Sequence, residues 1–320
     1  MNILVTGGCG YVGTILTNRL LADGHVVTVV DIMWFGNHLK DHPNLTVIQA
    51  DIRETDRVPM QGIDVIVHLA NIANDPSGDL NSKLTWEVNV LATKTLVEKA
   101  IACGVKQFIY ASSGSVYGVK DEDKVTEELS LVPISDYNKT KMISERVLLS
   151  YQNEITIQCV RPATVCGYSP RMRFDISVNL LTLLALKNGK ITVFGGSQTR
   201  PNIHIQDLIE VYCHFIMLGS SVSGIFNAGF ENLSILNVAQ MVQENVPSEI
   251  VVTSSNDPRS YRLCSDKLLQ TGFSPKYNVS YGIQEVITQY QSGVLKDSDI
   301  HYNMRVMKEV IPNSGLISHI

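Results

Sequence analysis

N-I-L-V-T-G-G-C-G-Y-V-G, residues 2–13, joins a short apolar run to a glycine-rich turn. The apolar residues predict a buried strand, and the G-x-x-G-x-x-G spacing predicts a turn that opens a helix. In such a turn Gly7 permits the tight bend, Gly10 lets the backbone approach a pyrophosphate, and Gly13 allows close packing of helix on sheet. The phosphate charge then lies at the N-terminus of the helix. This stretch therefore predicts a dinucleotide-binding unit.

A second apolar strand is predicted at residues 26–30, after a helix that ends near Gly24, and it runs into Asp31. A carboxylate about 20 residues after the glycine turn suits the free ribose hydroxyls of NAD and repels the extra phosphate of NADP. Residues 32–36 read I-M-W-F-G and contain no arginine to accommodate that phosphate. A glycine turn with an unrelated aspartate is disfavoured, because strand, turn, helix, strand and acid occur in the required order. We therefore predict NAD as the cofactor.

Apolar runs and helical patterns continue to alternate along the chain. The predicted elements are strands at 45–49, 64–70, 107–111 and 155–161, and helices at 85–103 and 135–151. This alternation is typical of a parallel sheet with helices on both faces, and ligands then collect at the carboxyl ends of the strands. The predicted fold class is α/β, a Rossmann doubly wound parallel sheet.

Composition excludes several classes of protein. The chain has 320 residues, 44% of them hydrophobic, and a formal net charge of −5, so it can bury a large core and has no electrostatic reason to bind nucleic acid or an anionic membrane. The first strand begins at residue 2, which leaves no room for a signal peptide, and no apolar run approaches the roughly 20 residues that span a bilayer. We therefore expect a soluble cytoplasmic enzyme.

The six cysteines are scattered without C-x-x-C spacing. This spacing predicts reduced and mostly buried thiols rather than a disulfide framework. We expect no zinc site, no other metal site and no cysteine nucleophile.

Tyr137 and Lys141 are spaced i, i+4 in the predicted helix 135–151, so their side chains share one face. A free phenol, with a pKa of about 10, is a poor base near neutrality until positive charge stabilises the phenolate, and Lys141 is placed to supply that charge. Ser113, at the end of the strand 107–111, is suited to hold a substrate hydroxyl while its proton leaves. A packed tyrosine beside a solvated lysine is the plain alternative, but the glycine turn favours a redox active site.

Two further polar residues at strand ends remain open. Asp51 ends the third strand and His68 ends the fourth. Each is equally consistent with a ligand contact and with a helix cap or turn.

Motifs spread over nearly the whole chain carry a family resemblance. They are T-G-G-C-G-Y-V-G from Thr6, Asp31, D-I at 51–52, H-L-A at 68–70, Asn89, S-S-G-S-V-Y-G at 112–118, Y-N-K-T-K at 137–141 and R-P at 161–162. In this combination the chain resembles the extended short-chain dehydrogenase/reductase family, and within it the nucleotide-sugar enzymes typified by UDP-galactose 4-epimerase.

The resemblance implies a catalytic group of Ser113, Tyr137 and Lys141. The NAD-binding residues that it implies are Gly7, Gly10, Tyr11, Val12, Gly13, Asp31, Asp51, Ile52, Leu69, Ala70, Asn89, Ser112, Tyr137, Lys141 and Pro162. It also implies a smaller α/β C-terminal domain. Residues 1–167 and about 202–229 would form the NAD-binding domain, and about 168–201 and 230–320 the nucleotide-sugar-binding domain.

The C-terminal half carries the motifs expected to bind the substrate. They are N-L at 179–180, V-F-G-G at 193–196, R-P-N-I-H-I-Q-D at 200–207 and D-P-R-S-Y at 257–261. The resemblance implies that Asn179, Arg200 and Arg259 hold the nucleotide and diphosphate, and the planar fork of arginine suits phosphate oxygens. Arginines on a solvated face are the alternative. His204 and Asp207 are expected to anchor the junction between strand and helix.

Departures from the family pattern bear on the reaction. Sugar 4,6-dehydratases place an aspartate and a glutamate directly after the catalytic serine or threonine, and the decarboxylases often have glutamate there. Gly114 and Ser115 follow Ser113 in this chain, so dehydration is disfavoured. The acidic residues 121–123 are read as a solvated loop.

Other departures bear on the substrate. Thr164 stands where UDP-galactose 4-epimerases usually have asparagine, and S-P-R-M-R-F-D at 169–175 is foreign to those enzymes. A similar S-P-R-M-R segment occurs in relatives that act on other activated sugars, including GDP-heptose 4-dehydrogenases. Thr164, Arg171 and Arg173 are therefore predicted to bind substrate, with both arginines facing the sugar or its phosphates.

The predicted reaction is NAD-dependent 4-epimerisation of a nucleotide-diphosphate sugar. Tyr137 as phenolate takes the C4 hydroxyl proton, Ser113 orients the oxygen, and Lys141 lowers the tyrosine pKa and holds the nicotinamide ribose. The 4-keto sugar then receives the hydride on its other face. A nucleotide-sugar 4-dehydrogenase or a 4-keto-sugar reductase is the alternative. A non-enzymatic NAD sensor on the same fold is a remote one, since such sensors usually lose the tyrosine or lysine.

The resemblance also implies a partner. Relatives pair through two helices each, here the segments 85–103 and 135–151, so a homodimer is expected. Residues 301–305 are expected to cover the substrate cleft or the partner subunit.

Overall fold

A seven-stranded parallel sheet forms the centre of the computed structural model, which describes residues 1–255 and 260–313. Its strands are β1 (Asn2–Thr6), β2 (Val26–Asp31), β3 (Leu45–Gln49), β4 (Val65–His68), β5 (Gln107–Ala111), β6 (Thr156–Pro162) and β10 (Gly224–Ala228). They lie in the order β10-β6-β5-β4-β1-β2-β3. The sheet and the helices on its two faces confirm the predicted Rossmann fold.

The chain sequence explains why this sheet is buried on both faces. Successive residues of a strand point to opposite faces. In β1, Ile3 and Val5 pack into one hydrophobic core and Leu4 packs into the other. Strands covered on both faces are expected to be apolar, and the middle of β1, Ile3 to Val5, is apolar and buried.

Helices connect and cover these strands. They are α1 (Tyr11–Ala22), α2 (Asp75–Gly78), α3 (Ser82–Trp86), α4 (Ala92–Ala102), α5 (Asp136–Leu149), α6 (Ser177–Asn188), α7 (Ile205–Leu218), α8 (Ile235–Gln243), α9 (Asp266–Leu269), α10 (Val279–Gln291) and α11 (Asn303–Asn313). Leu16 and Leu20 of α1 pack on one face of the sheet, and Leu96 and Val97 of α4 pack on the other.

The strand order reverses beside β1, which has β4 on one side and β2 on the other. In open parallel sheets, ligands bind in the crevice outside the carboxyl ends of the strands at such a reversal. The glycine turn after β1 lies at this crevice, and Asp31 ends the neighbouring strand β2.

Two smaller sheets stand at the same edge. One contains β9 (Thr199–His204), which pairs in parallel with β7 (Thr164–Cys166) and antiparallel with β11 (Glu231–Ser234). The other pairs β8 (Lys190–Phe194) with β12 (Glu249–Thr253) in parallel. Residues of α6, α8 and α10 form a separate core against β8, including Leu181, Val238 and Ile283.

The last helix returns to the main sheet. Met307 and Ile311 of α11 are buried in the core that contains Leu4 and Leu96. The predicted second domain thus contributes to the core of the first, and the division of the chain into two domains stays a prediction.

The helix predicted at 85–103 is interrupted. A π-helix, Glu87–Leu91, separates α3 from α4. The backbone carbonyl of Asn89 accepts hydrogen bonds from the hydroxyls of Thr93 and Ser144, each at 2.7 Å. These bonds accompany the wider turn, which aims the Asn89 amide at the loop after β4.

Two further predictions concern composition. Four of the six cysteines are buried and two are half-buried, as the scattered spacing predicted. Within the described residues, no helix combines the length and the apolar character that crossing a membrane requires.

Candidate active site

A cavity of about 700 Å³ opens at the carboxyl ends of the main strands, within the size range of small-molecule sites. It brings most of the predicted site residues together. Those that line it are Gly7, Gly10, Tyr11, Val12, Gly13, Asp31, Asp51, Ile52, Leu69, Ala70, Ser112, Ser113, Tyr137, Lys141, Pro162, Thr164, Arg171, Arg173 and Arg200.

The glycine turn forms a cradle that side chains would fill. Gly7 has a φ of +75°, and a Cβ there would lie 2.6 Å from the backbone nitrogen of Ala70. A Cβ on Gly13 would collide with the carbonyl oxygen of Gly7. The first turn of α1 contains no acidic residue, so its positive end faces the cavity without a competing carboxylate. This cradle fits a pyrophosphate.

Asp31 is held rigidly at the end of β2. One carboxylate oxygen accepts from the Cys9 nitrogen at 2.9 Å, and the other accepts from the Met33 nitrogen at 2.7 Å. Each oxygen keeps further acceptor capacity, which ribose hydroxyls can use. Burial raises the pKa of Asp31, and these two backbone hydrogen bonds lower it in opposition.

Asp51 and His68 have structural partners. The Asp51 carboxylate accepts from the Arg53 side chain at 2.9 and 3.1 Å while it lines the cavity. His68 is fully buried, and its ring nitrogens hydrogen bond with Thr6 at 2.6 Å and Thr93 at 2.9 Å. Burial lowers the pKa of His68 to about 3, so the ring is neutral and braces β4.

Tyr137 and Lys141 come from the first turns of α5, which Ser135 caps through its hydroxyl. The Lys141 ammonium donates to the Ala111 carbonyl at 2.5 Å and lies over the Tyr110 ring. Only 3% of Lys141 is exposed, and burial lowers its pKa to about 7. The lysine therefore changes its charge near neutral pH.

Burial also raises the pKa of Tyr137, to about 12. The Ser113 hydroxyl, through a hydrogen bond, and the Arg173 charge lower this pKa, whereas the Asp75 carboxylate raises it. Tyr137, Ser113, Arg173 and Asp75 all line the cavity. The pKa of the Tyr137 phenol therefore depends on charged groups that line the same cavity.

The segment after Ser113 carries no acid. It forms a 3₁₀ turn, Gly114–Tyr117. A Cβ on Gly114 would lie 2.9 Å from a Leu263 methyl group and 3.1 Å from the Pro162 carbonyl oxygen. The Ser115 hydroxyl bonds to that of Ser113 at 2.7 Å and to the Asn138 side chain at 2.5 Å. These positions therefore extend a hydroxyl network rather than supply a carboxylate.

Residues 169–175, the arginine loop, form the opposite wall. Arg173 pairs with Asp175 at 2.8 Å, and its Nη2 atom is buried with no partner in the described part of the chain. Asp175 also accepts from the Asn303 backbone nitrogen at 3.0 Å and from the Asn74 side chain at 3.2 Å. One carboxylate thus joins the loop to two other segments.

The other arginine of the loop points elsewhere. The guanidinium carbon of Arg171 lies 3.9 Å from the centre of the Phe35 ring, which follows β2. Its Nη2 atom donates to the Asn303 side chain at 2.6 Å. Arg171 therefore stands beside the strand end that carries Asp31.

Asn89 and Asn179 are fully buried and do not line the cavity. The Asn89 side chain accepts from the Ile72 nitrogen at 2.8 Å and donates to the Thr140 hydroxyl at 3.0 Å. The Asn179 side chain accepts from the Gly167 nitrogen at 3.1 Å and donates to the Arg173 carbonyl at 3.0 Å. Both hold cavity-wall segments in place, and direct ligand binding by either one stays a prediction. Arg259 lies outside the described residues.

Other cavity residues were not predicted. Asn71 has both side-chain polar atoms buried without a partner among the described residues, and the Ser177 hydroxyl is in the same situation. Asn71 and Ser177, with Asp75 and Phe35, line the cavity. Asn303 and Met304 line it as well, and they belong to the segment 301–305 that was expected to cover the substrate cleft. Asn71 directly follows the H-L-A motif at the end of β4, and this position in the sequence could have identified it as a site residue.

The residues present therefore fit a dinucleotide with a second ligand beside it. A glycine cradle at a helix N-terminus and an oriented aspartate mark the first site. The hydroxyls, the phenol and the arginine loop surround the remaining space.

Comparison with known proteins agrees with this geometry. Residues 3–229 match the model of the NAD dependent epimerase/dehydratase family. The chain is 30% identical over 314 residues to UDP-glucuronic acid decarboxylase 1 of Danio rerio, covering 92% of this chain and 73% of that one. It is 28% identical over 305 residues to UDP-glucose 4-epimerase of Corynebacterium glutamicum, covering 87% and 92%. The solved structure of MoeE5 in complex with UDP-glucose and NAD superposes with a TM-score of 0.81 at 25% identity, covering 92% and 100%.

Proposed function

This chain belongs to the NAD dependent epimerase/dehydratase family and takes NAD as its cofactor, and we propose that it is a nucleotide-sugar 4-epimerase. The observation that carries the proposal is the convergence of Ser113, Tyr137 and Lys141 on one cavity that also contains the glycine cradle. Relatives and neighbours include UDP-glucose 4-epimerases and a complex with UDP-glucose, so a nucleotide sugar is the proposed substrate.

Bound NAD supplies the hydride acceptor. Tyr137, as phenolate, removes the proton from the C4 hydroxyl of the sugar, and the Ser113 hydroxyl orients that oxygen. Lys141 adds positive charge beside the tyrosine ring and is proposed to hold the nicotinamide ribose. The 4-keto sugar turns within the cavity, and Tyr137 returns the proton when its other face is reduced. Every proton and hydride removed is thus restored, with no net redox change.

The proposed roles divide the remaining residues into two sets. The proposed NAD-binding residues are Gly7, Gly10, Tyr11, Val12, Gly13, Asp31, Asp51, Ile52, Leu69, Ala70, Ser112 and Pro162, with Asn89 positioning the loop after β4. Thr164, Arg173, Arg200 and Arg259 are proposed to bind the sugar nucleotide, with Asn179 positioning Arg173. Arginine suits the diphosphate because its planar fork matches phosphate oxygens.

Similar proteins include a decarboxylase and a dehydratase, so both of these reactions must be considered for this chain. Dehydration needs a base to take the C5 proton and an acid to protonate the departing C6 hydroxyl. A 4-keto uronic acid loses CO₂ without such a pair, so the product is what distinguishes decarboxylation. Gly114 carries no side chain and is tightly packed against Leu263 and Pro162, and the Ser115 hydroxyl is engaged by Ser113 and Asn138. These contacts support epimerisation over elimination.

A homodimer and a cytoplasmic location are proposed on the family resemblance alone. A single-subunit mass by light scattering at micromolar concentration would contradict the dimer.

The deciding experiment follows both the sugar and the cofactor. The purified protein, without added NAD, is incubated with UDP-, GDP-, CDP- and dTDP-sugars, while NMR follows the sugar protons and absorbance follows NADH. An epimerase forms the C4 epimer over many turnovers with no net NADH. A 4-keto product that stops at one equivalent per bound NAD would indicate a dehydrogenase or reductase that needs a second substrate. A nucleotide pentose, formed by decarboxylation, or a dehydrated nucleotide sugar would exclude epimerisation. No change in any of the sugars would favour a sensor.

A further inference from the structure

Arg171 belongs to the arginine loop, yet its contacts lie on the cofactor side of the cavity. Its guanidinium carbon is 3.9 Å from the centre of the Phe35 ring, and Phe35 follows the strand that ends at Asp31. Burial raises the pKa of Asp31, and the charge of Arg171 is close enough to oppose that rise. By contrast, the charge of Arg173, two residues later in the chain, lowers the pKa of Tyr137. The two arginines therefore serve different ends of the cavity.

Within the described residues Arg171 has no carboxylate at ion-pair distance, and the charges of Asp175 and Asp31 act on it from further away. Only 3% of the residue is exposed, and its hydrogen-bond acceptors are neutral, the side chain of Asn303 at 2.6 Å and the carbonyl of Met172 at 3.3 Å. Its Nε atom is buried with no acceptor in residues 1–255 or 260–313. Both oxygens of Asp31 are already bonded to backbone nitrogens. A buried guanidinium needs an anion or several acceptors, and the cavity offers the space for them.

The segment that carries Arg171 is anchored on both sides. The Ser169 hydroxyl donates to the Tyr11 carbonyl at 2.8 Å, which ties the loop to the glycine turn. The Phe174 nitrogen donates to the His301 carbonyl at 2.9 Å, and the Asn303 nitrogen donates to Asp175 at 3.0 Å. The loop and residues 301–304 therefore form one structure over the cofactor side of the cavity.

We infer that Arg171 is a cofactor-binding residue, which closes over the adenosine half of NAD and donates its Nε–H to that half's phosphate or ribose oxygens. Phe35 supports the guanidinium by stacking, and Asn303 orients it. The function is retention of the cofactor, so that the nucleotide reduced in one half-reaction is still in place for the next. This assignment replaces the predicted contact of Arg171 with the sugar. The contact itself depends only on NAD binding, whereas its use in retaining the reduced cofactor rests on the proposed function.

The test measures release of the cofactor without any sugar. Protein loaded with NADH is mixed with a large excess of NAD, and the loss of bound-NADH fluorescence gives the dissociation rate. Loss of a charge-assisted hydrogen bond predicts release about 10- to 100-fold faster for Arg171→Gln. Asn303→Ala and Phe35→Leu, which leave the charge but loosen its support, should give smaller increases in the same direction.

The chain offers a matched control. The guanidinium carbon of Arg305 also lies 3.9 Å from the centre of an aromatic ring, that of Tyr302, but Arg305 is exposed and does not line the cavity. Arg305→Gln should release NADH at the wild-type rate. Thermal unfolding of each variant identifies any that is misfolded, and the three separate variants keep the test valid if one is lost.

Ligand fragments locate the contact. With UDP present to occupy the substrate side, Arg171→Gln should weaken AMP binding by a factor similar to the change in NADH release, and should leave nicotinamide mononucleotide unaffected. Wild-type NADH release by folded Arg171→Gln would overturn the inference. So would a loss confined to nicotinamide mononucleotide. Failure of all sugars to react would count against the proposed function and leave this result unchanged.

Discussion

The ammonium nitrogen of Lys141 lies 5.7 Å from the centre of the Tyr137 ring and donates to the carbonyl oxygen of Ala111. The lysine is thus held by the strand end, beside the aromatic face, while its burial lowers its pKa to about 7. The charge expected to stabilise the phenolate is therefore itself sensitive to pH near neutrality. Arg173, whose charge also lowers the Tyr137 pKa, provides a cation that persists.

Lys141→Met should stabilise the nucleotide-free protein at acidic and neutral pH. The folded pKa of about 7 lies below the ordinary 10.5, so below pH 7 both states carry the proton and the folded state bears the full cost of the buried charge. Between pH 7 and about 10 the lysine is protonated in the unfolded chain and neutral in the folded protein. The free-energy cost of burying it therefore falls as the pH rises. The gain should be on the order of 2 kcal/mol at pH 6, less than the full pKa shift implies because Ala111 loses its donor. Urea unfolding at several pH values measures it.

Lys139→Met is the control for this change, because Lys139 is exposed on the same helix and has a surface contact with Asp136 at 3.3 Å. It should alter stability by less than about 0.5 kcal/mol at every pH. A Lys141→Met protein that is less stable than wild type at pH 6 would show that the buried ammonium is favourable.

Tyr137→Phe should keep NAD bound and lower turnover by about 10²- to 10⁴-fold, since it removes the group proposed to accept the proton. Single-turnover formation of NADH would be the direct measurement, with NADH fluorescence reporting binding. Tyr151→Phe provides the comparison, because the Tyr151 hydroxyl donates to Glu98 at 2.8 Å beyond the end of α5. Retention of most turnover by Tyr137→Phe would remove Tyr137 from the role of base.

Arg173→Gln and Asp75→Asn should shift the titration of Tyr137 in opposite directions. The charge of Arg173 lowers the pKa of Tyr137 and that of Asp75 raises it, so their removal moves the acid limb of the kcat profile to higher and to lower pH respectively. Ser113, Lys141, Tyr110 and Tyr212 face the same phenol and are unchanged in both variants. At pH 7, Arg173→Gln should be roughly tenfold slower, as a change of one pKa unit implies.

A spectroscopic measurement separates this effect from substrate binding. In protein labelled at the tyrosine ζ-carbon, the Tyr137 signal, assigned from Tyr137→Phe, reports phenolate formation directly. Arg146→Gln removes an exposed cation from the same helix and should leave the titration in place. Equal Tyr137 titrations in wild type and Arg173→Gln would mean that Arg173 acts on the substrate alone.

Gly13→Ala and Gly10→Ala should have different consequences. A Cβ at Gly13 meets the backbone of Gly7 and Gly8, which cannot move without opening the turn, so we expect a loss of about 1–3 kcal/mol in unfolding free energy. A Cβ at Gly10 contacts only the Gly7 carbonyl, at 3.2 Å, and faces the cavity. Gly10→Ala should therefore fold normally and bind NAD weakly. Thermal unfolding and NADH titration of both variants distinguish the two effects, and equal destabilisation would refute the distinction.

The sequence predicted the parts of the site that depend on local order. The glycine turn, α1 and Asp31 follow one another directly, so strand, turn and acid could be recognised from pattern alone. Tyr137 and Lys141 were predicted together because helical spacing places them on one face. His204 and Asp207 were predicted as anchors. His204 caps α7, and Asp207 accepts from the Lys276 and Tyr277 backbone nitrogens at 2.9 and 3.0 Å.

Residues whose position depends on distant segments could not be assigned. Arg171 contacts Phe35 and Asn303, which lie far away in the chain, and no local pattern indicates which side of a cavity its loop will face. Asn179 was assigned from a motif, and its ligand contact stays a prediction, since its amide bonds to the backbone of Gly167 and Arg173 in the cavity wall. The π-helix around Asn89 has a tertiary cause as well, because Ser144 of α5 bonds its carbonyl oxygen.

The cavity of about 700 Å³ extends from Asp31 to Arg200, and none of the residues 1–255 and 260–313 divides the place proposed for the dinucleotide from that proposed for the sugar. Each ligand then forms part of the surface that the other contacts. The two bound ligands must change each other's affinity by the same factor. If the sugar nucleotide raises the affinity for NAD by some factor, NAD raises the affinity for the sugar nucleotide by that factor. If this factor differs between NADH and NAD, the enzyme with bound NADH will differ from the enzyme with bound NAD in its affinity for the 4-keto sugar.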